Sequence, residues 1–307
     1  MSNLHIPVLQ KEVIEYLKPK PNQNFIDCTI GEGGHAFAIL EKILPNGKIL
    51  GIDSTQELIS KLKKGIKKFK KNFILVCDNF VHLKEIVKKY KFEKVQGILF
   101  DLGMSSWHLE KSGRGFTFQR DEPLDMRYRR HFGRSSKLSA GKEGLTAEKI
   151  VNDWPEAKIE KILKEYGQER FARKIAREIV RARKIKPIKK TLHLVEIVKR
   201  ATPSWYRRQR IHFATKTFQA LRIAVNNELE NLQKVLPQTL EILNKNGRLV
   251  IISLHSLEDK IVKNFFRENS KKGLFKILTK KPIRPSEVEK KVNPRSRSAR
   301  LRAVTKL

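Results

Sequence analysis

Four short apolar runs, each followed by a polar or glycine-rich break and then by residues at helical spacing, restrict the folds open to this chain. They are Phe25–Thr29, Lys48–Asp53, Phe73–Cys77 and Val95–Asp101. Runs that are apolar throughout read as strands buried on both faces, and such strands alternating with helices build a parallel sheet. The first run opens into Ile30-Gly31-Glu32-Gly33-Gly34-His35, after which Phe37, Leu40 and Ile43 recur at helical spacing. Strand, glycine turn and helix together present backbone N–H groups to a nucleotide-like ligand, although a plain tight turn has the same local sequence. The spacing is Gly-x-Gly-Gly. It departs from the dinucleotide pattern Gly-x-Gly-x-x-Gly and so speaks against a nicotinamide-dependent oxidoreductase.

In a parallel sheet, ligands bind at the carboxyl ends of the strands. Gly31 to His35, Asp53, Asp78 to Phe80 and Asp101 all fall there. The alternation stops at about residue 105. From Thr146 to Ala201 the signal is helical, with Phe171, Ile175, Ile179 and Ala182 on one face of a strongly basic helix. The expected organisation is a discontinuous domain, 1–106 and 212–307, interrupted by an all-helical insert, 107–211. A helix from Thr215 to Val235 follows, and Pro237 is expected to start another, to Asn244. Asn246-Gly247 reads as a turn into strand Arg248–Ser253. Ser256 then reads as the cap of a helix through the pattern Ser-x-x-Asp. Leu274–Leu278 and Ala299–Thr305 read as two final strands, the second as an antiparallel edge strand. The expected fold class is α/β, a Rossmann-like seven-stranded methyltransferase sheet with a helical insert.

The 307 residues include 66 Lys+Arg against 32 Asp+Glu, a net charge of +34, so a polyanionic partner is expected. Many lysines, such as those between Lys61 and Lys71, solvate helix faces. The arginine clusters Arg127–Arg134, Arg170–Arg183, Arg207–Arg210 and Arg295–Arg302 are interleaved with Tyr128, Phe132, Trp205 and Tyr206. Guanidinium groups pair with phosphates and stack on bases, which suits a nucleic-acid groove. No apolar run is long enough to span a membrane and the first residues lack a signal-peptide pattern, so no membrane partner and a cytoplasmic location are expected. Cys28 and Cys77 lie in strand-like runs with no metal-ligand spacing, and no metal is expected.

Asp53 follows the glycines by about twenty residues, the distance at which a carboxylate accepts hydrogen bonds from ribose hydroxyls. Phe80 is placed to lie beside an adenine, with Asp78 or Asn79 at its edge. His35 is either a structural hydrogen-bonder or a donor to a ligand carboxylate. Asp101 stands where amino-methylating enzymes carry an acidic or amide residue. The exocyclic amine of cytosine or adenine is a weak nucleophile because its lone pair is delocalised into the ring. An acceptor on its N–H draws the nitrogen toward sp³ as the methyl group approaches. A carbon-5 cytosine methyltransferase needs a cysteine nucleophile near this loop, and neither cysteine is there. Ser253 and His255 leave the fifth strand at the same edge, where they either line a target-base pocket or cap a helix.

With these motifs in order, the chain resembles the bacterial small-subunit ribosomal RNA cytosine-N4 methyltransferases, the MraW/RsmH family. The resemblance runs through His5-Ile6-Pro7-Val8-Leu9, Asp27 to His35, Gly51-Ile52-Asp53, Leu99 to Ser106, Arg114 to Phe118 and Pro123 to Arg127. It continues in Tyr166 to Ala172, Thr217 to Ile223, Ile252 to Asp259 and Asn293 to Ser298. It implies S-adenosyl-L-methionine as methyl donor, held by Gly33, Gly34, His35, Asp53, Phe80 and Asp101. A further family contact, commonly Gln after Ser-Ser-Pro, falls on His108, because the stretch here reads Ser105-Ser106-Trp107-His108. His212-Phe213 stands where the family often has His-Pro. The resemblance implies a helical insert that recognises RNA, and 16S ribosomal RNA in the assembled small subunit, near its decoding centre, as substrate. A monomer and a homodimer both suit the chain. The competing readings are N4-cytosine or N6-adenine methylation of DNA or another RNA, and a non-catalytic ribosome-assembly factor that retains the donor pocket.

Overall fold

The structure, a computed structural model, describes residues 7–129 and 144–307. His5 and Ile6 of the first motif, and residues 130–134 of one arginine cluster with its Phe132, lie outside the described residues. The chain begins with α1 (Gln10–Leu17), β1 (Asn24–Asp27), α2 (Gly34–Ile43), β2 (Ile49–Asp53), α3 (Gln56–Gly65), β3 (Phe73–Cys77), α4 (Leu83–Lys89) and β4 (Val95–Asp101). Helices follow: α5 (Ser106–Glu110), α6 (Ala147–Asp153), α7 (Glu156–Glu165), α8 (Ala172–Ile185), α9 (Thr191–Ala201), α10 (Ser204–Arg207) and α11 (Thr215–Asn226). The last part is α12 (Glu228–Ile242), β5 (Leu243–Ser253), α13 (Ser256–Lys271), β6 (Phe275–Ile277), α14 (Glu287–Val292) and β7 (Arg300–Lys306). Two compact units result, Met1–Gly103 with Leu229–Leu307, and Met104–Glu228.

The first unit is a seven-stranded sheet in the order β3-β2-β1-β4-β5-β7-β6. Strands β1 to β5 are parallel, and β7 runs antiparallel to both β5 and β6. The strand order reverses between β1 and β4, which makes the carboxyl ends of those two strands the ligand-binding crevice of an open α/β sheet. Successive residues of each strand serve opposite faces. Phe25, Ile49, Leu99, Val250 and Ile252 join a core with Val13, Ile39 and Ile59 of α1, α2 and α3. Their neighbours Ile26, Leu50, Ile98, Phe100 and Ile251 join Ile86, Val235 and Val262 of α4, α12 and α13. Each of these fully buried side chains stabilises the fold by roughly 1.5–3 kcal/mol, which explains why the strands carry no polar alternation.

Several expectations are corrected here. Pro237 does not start a helix. It lies inside α12, and the break comes earlier, at Asn227, whose φ of 51° ends α11. Asn246-Gly247 belongs to an irregular opening of β5, where the register against β4 shifts between Val95 and Gly97. β7 is not an edge strand. It lies between β5 and β6 and is mostly buried, because its Arg302 is neutralised by Asp259.

The second unit is all-helical. Its core gathers Ile150, Ile159, Leu163, Ile175, Ile179, Leu194 and Val198. α8 turns Ala172, Ile175, Ala176, Ile179 and Ala182 inward, while Arg173, Lys174, Arg177 and Arg181 are exposed. The unit extends past residue 211 to Glu228, because Phe218, Leu221, Ala224 and Val225 of α11 complete this core.

Candidate active site

The glycine turn between β1 and α2 is shaped by close packing. Gly33 has φ +88° and precedes the first residue of α2, with no side chain available to cap the helix. A Cβ on Gly33 would lie 2.8 Å from Leu62 Cδ1, and one on Gly34 would lie 2.4 Å from Pro7 Cγ. Only glycine therefore lets the backbone pass here, and the first turn of α2 is left without a side-chain cap, the arrangement in which helix N–H groups are able to meet a polar or anionic ligand.

Around the turn, three acidic side chains end adjacent strands: Asp27 on β1, Asp53 on β2 and Asp101 on β4. Asp53 accepts hydrogen bonds from the N–H of Gly31 (3.1 Å) and of Thr55 (2.8 Å). The carboxylate thus fixes both the glycine turn and the start of α3. Burial pushes its pKa up, while these N–H groups pull it back. Asp101 is held from two sides. Its backbone N–H donates to Thr29 Oγ1 at 2.7 Å, and its Oδ1 accepts from the Gly103 N–H at 3.1 Å. Its Oδ2 faces His35 Nε2 at 3.6 Å. His35 is buried, yet among the described residues neither of its ring nitrogens has a hydrogen-bond partner. A buried imidazole in that condition is suited to a polar ligand group.

Asp27 is the site residue that the sequence analysis did not single out. It is 2% exposed, and burial raises its pKa to about 7, opposed first by the positive field of His35 and then by the Thr29 N–H bond. The signal was present as a carboxylate closing an apolar run immediately before the glycines. A carboxyl group whose folded pKa is raised binds a proton more tightly in the native state. Its contribution to stability is therefore full below the unfolded value near 4 and is lost as pH rises toward 7. In the Asp27→Asn variant this fall between pH 4 and 7 is expected to flatten. Denaturant unfolding at pH 5 and pH 8 measures it, and equal pH slopes for the variant and the parent would contradict the assignment.

Past β3, Asn79 caps a 3-10 turn, Phe80–His82, by accepting from the Val81 N–H. Phe80 is half-buried and packs edge-on against Phe100, with ring centroids 5.6 Å apart. Asp78 Oδ1 is engaged by the Asn79 N–H at 2.7 Å and lies 3.1 Å from His82 Nδ1. Of the residues expected beside an adenine, Phe80 is the one with partial exposure and no polar engagement of its side chain.

At the end of β5, Ser253 is 1% exposed, and its Oγ has no hydrogen-bond partner among the described residues. The expected cap at Ser256 shifts by one residue. His255 is the N-cap of α13, and its side chain accepts from the Glu258 N–H. Glu258 completes a capping box by accepting from the N–H of Leu254 (2.8 Å) and of His255 (3.3 Å). Asp259, one residue on, pairs with Arg302 through Nε–Oδ1 at 2.6 Å, which ties α13 to β7. His255 therefore has a structural role of its own in setting the loop after Ser253. Cys28 is buried, and burial with the charge of Asp27 holds its thiol well above the ordinary range, so it is no nucleophile.

His108 belongs to the helical unit, on α5. Its ring packs against Trp107, Phe116 and Tyr128, with centroids 5.0–5.4 Å away, and its Nδ1 lies 2.7 Å from Ser105 Oγ. Burial, then the charges of Arg114 and Arg222, lower its pKa to about 3, so the ring is neutral. Arg114 is almost fully buried and donates to the carbonyl of Tyr128 at 2.9 Å, while the Arg127 guanidinium is bound to Asp125. Arg114 thus organises the helical unit's own backbone, and Arg127 is held by a neighbouring carboxylate.

Sheet order, antiparallel β7, glycine turn and acidic strand ends together give the Rossmann-like sheet of the methyltransferase class. The chain belongs to the MraW methylase family, whose model matches residues 2–307. A ribosomal RNA small subunit methyltransferase H from Thermotoga neapolitana is 49% identical over 305 residues, covering 98% of this chain and 96% of that protein. Proteins of the same name from Thermosipho melanesiensis and Clostridium botulinum are 46% and 43% identical, each covered over 98% or more of its length. Among the described residues, no helix is long and apolar enough to cross a membrane.

Proposed function

We propose that this protein transfers a methyl group from S-adenosylmethionine to the exocyclic N4 of a cytidine in 16S ribosomal RNA, with the assembled small subunit as substrate near its decoding centre. The observation that carries the chemistry is the Asp101 carboxylate at the switch point of the sheet, oriented by Gly103 and facing His35. Family membership supports the choice of substrate.

The residues present suit the donor. Gly33 and Gly34 leave room along the backbone, and Asp53 offers a carboxylate for the ribose hydroxyls. Phe80 offers an apolar surface beside the adenine, and the unbonded imidazole of His35 suits the donor's carboxylate. When bound, the donor supplies a methyl group on a positively charged sulfur, activated for displacement. Asp101 accepts a hydrogen bond from the target amine and localises the nitrogen lone pair. It also stabilises the positive charge that develops on that nitrogen, which is discharged when the amine releases one of its two protons to Asp101 or to solvent. Ser253, with its unbonded hydroxyl, is assigned to the target side of the same strand ends, and His255 to positioning the loop behind it. For His108 the resemblance alone supports a donor contact, which a neutral imidazole can make with one donor or one acceptor. The helical unit, with its exposed basic face on α8, is assigned to RNA recognition.

Tritium transfer from labelled S-adenosylmethionine to assembled small subunits, naked 16S RNA and DNA tests the substrate. Label is expected on the subunits. Label on DNA alone would overturn the RNA reading in favour of a DNA amino-methyltransferase.

A further inference from the structure

On the helical unit, neighbouring residues of α10 have opposite environments. Tyr206 is 6% exposed, whereas Trp205 is 45% exposed. The Tyr206 hydroxyl lies 3.0 and 2.8 Å from the two carboxylate oxygens of buried Glu169. Glu169 Oε1 also accepts from the Phe171 N–H at 2.9 Å. Phe171 packs edge-on against both Tyr206 (4.9 Å) and Trp205 (5.8 Å). The indole therefore stands on a fixed base while nearly half of its surface remains in water. The Arg170 guanidinium lies over the Trp205 ring, 5.3 Å from its centroid. Exposed Arg173, Lys174, Arg208 and Arg210 follow closely in sequence on either side.

An exposed indole costs solvation without contributing to the core, and a surrounding excess of cations repels a cationic partner. Both facts are accounted for by a flat, polyanionic ligand. Bases stack on aromatic rings and on guanidinium planes, and phosphates pair with the flanking cations. We propose that Trp205 and Arg170 form a stacking platform for an unpaired base of the RNA substrate. This rests on the reading of the protein as an RNA methyltransferase and deepens it, by assigning part of substrate recognition to stacking on a single-stranded segment. The sequence had offered Trp205 and Tyr206 as an aromatic pair within an arginine cluster. The structure divides that pair into an anchor and a contact.

The test uses the full chain without methyl donor and reads the affinity for a fluorescein-labelled, single-stranded RNA of about 12 nucleotides by anisotropy. Trp205→Ala is expected to weaken binding about tenfold, Trp205→Leu by a similar factor, and Trp205→Phe by no more than about threefold, because phenylalanine keeps the π-face. Affinity for heparin, a polyanion without bases, is expected to stay unchanged in all three variants. Thermal unfolding midpoints establish that each variant is folded. Wild-type RNA affinity in folded Trp205→Ala would overturn the platform, as would an equal loss of heparin binding, which would reduce the effect to charge. Because no methyl transfer is measured, failure of the methylation reading and failure of the platform are read separately.

Discussion

Methyl transfer by the Asp101→Ala variant is expected to fall by about 10²- to 10³-fold, because the variant lacks the acceptor that localises the amine lone pair and the charge that stabilises the developing cation. The end of β4 and the Asp101 carboxylate are held by separate contacts. The backbone N–H bond to Thr29 Oγ1 does not depend on the side chain, so the end of β4 stays in place in the variant. What is lost is the Oδ1 bond from Gly103 and the oxygen facing His35. Asp101→Asn keeps an acceptor oxygen of the same shape but no charge, and about a tenfold loss is expected from it. Tritium transfer to small subunits, with thermal unfolding as the control for folding, measures both. Transfer by Asp101→Ala within a few-fold of the parent would remove Asp101 from the chemistry. A parent protein that transfers no label at all would favour a non-catalytic assembly factor.

The second large effect concerns the donor. Asp53→Ala is expected to weaken S-adenosylmethionine binding by about 10- to 100-fold, the range set by losing two hydrogen bonds to a charged acceptor. The same carboxylate holds the Gly31 and Thr55 N–H groups, so its removal also loosens the glycine turn to which the donor is assigned. Asp53→Asn retains one acceptor oxygen, and an intermediate loss is expected. Isothermal titration with the donor reads both, and an unchanged affinity would reduce Asp53 to a strand-end cap.

Most of the sheet unit was legible because its signals are local. Buried parallel strands are apolar throughout, and the residues at or after their carboxyl ends, Gly33, Gly34, Asp53 and Asp101, interrupt that pattern where the candidate site is placed. Asp27 was hidden by the same rule. It closes an apolar run, which is visible in the sequence, but what distinguishes it from an ordinary strand-end carboxylate is the proximity of His35 and Asp101, a tertiary fact. The edge-strand reading of β7 failed for a related reason. Arg300 and Arg302 look like solvent-facing residues until Asp259, on a helix and 43 residues before Arg302, supplies the partner that allows Arg302 to be buried. Pro237 misled because a proline can start a helix or lie within one, whereas the break itself was made by Asn227 in a left-handed conformation. His255 shows the limit of motif reading. Ser-x-x-Asp and His-x-x-Glu are offset by one residue, and backbone geometry decides which of them caps α13.

The position of the transferred methyl group distinguishes amine methylation from every other outcome. Small subunits incubated with the protein and S-adenosylmethionine, then digested and mapped by mass against untreated subunits, give that answer. One added methyl group is expected, on the N4 amine of a 16S RNA cytidine. A methyl group on a carbon, on a ribose oxygen or on no nucleotide of the small subunit would contradict it.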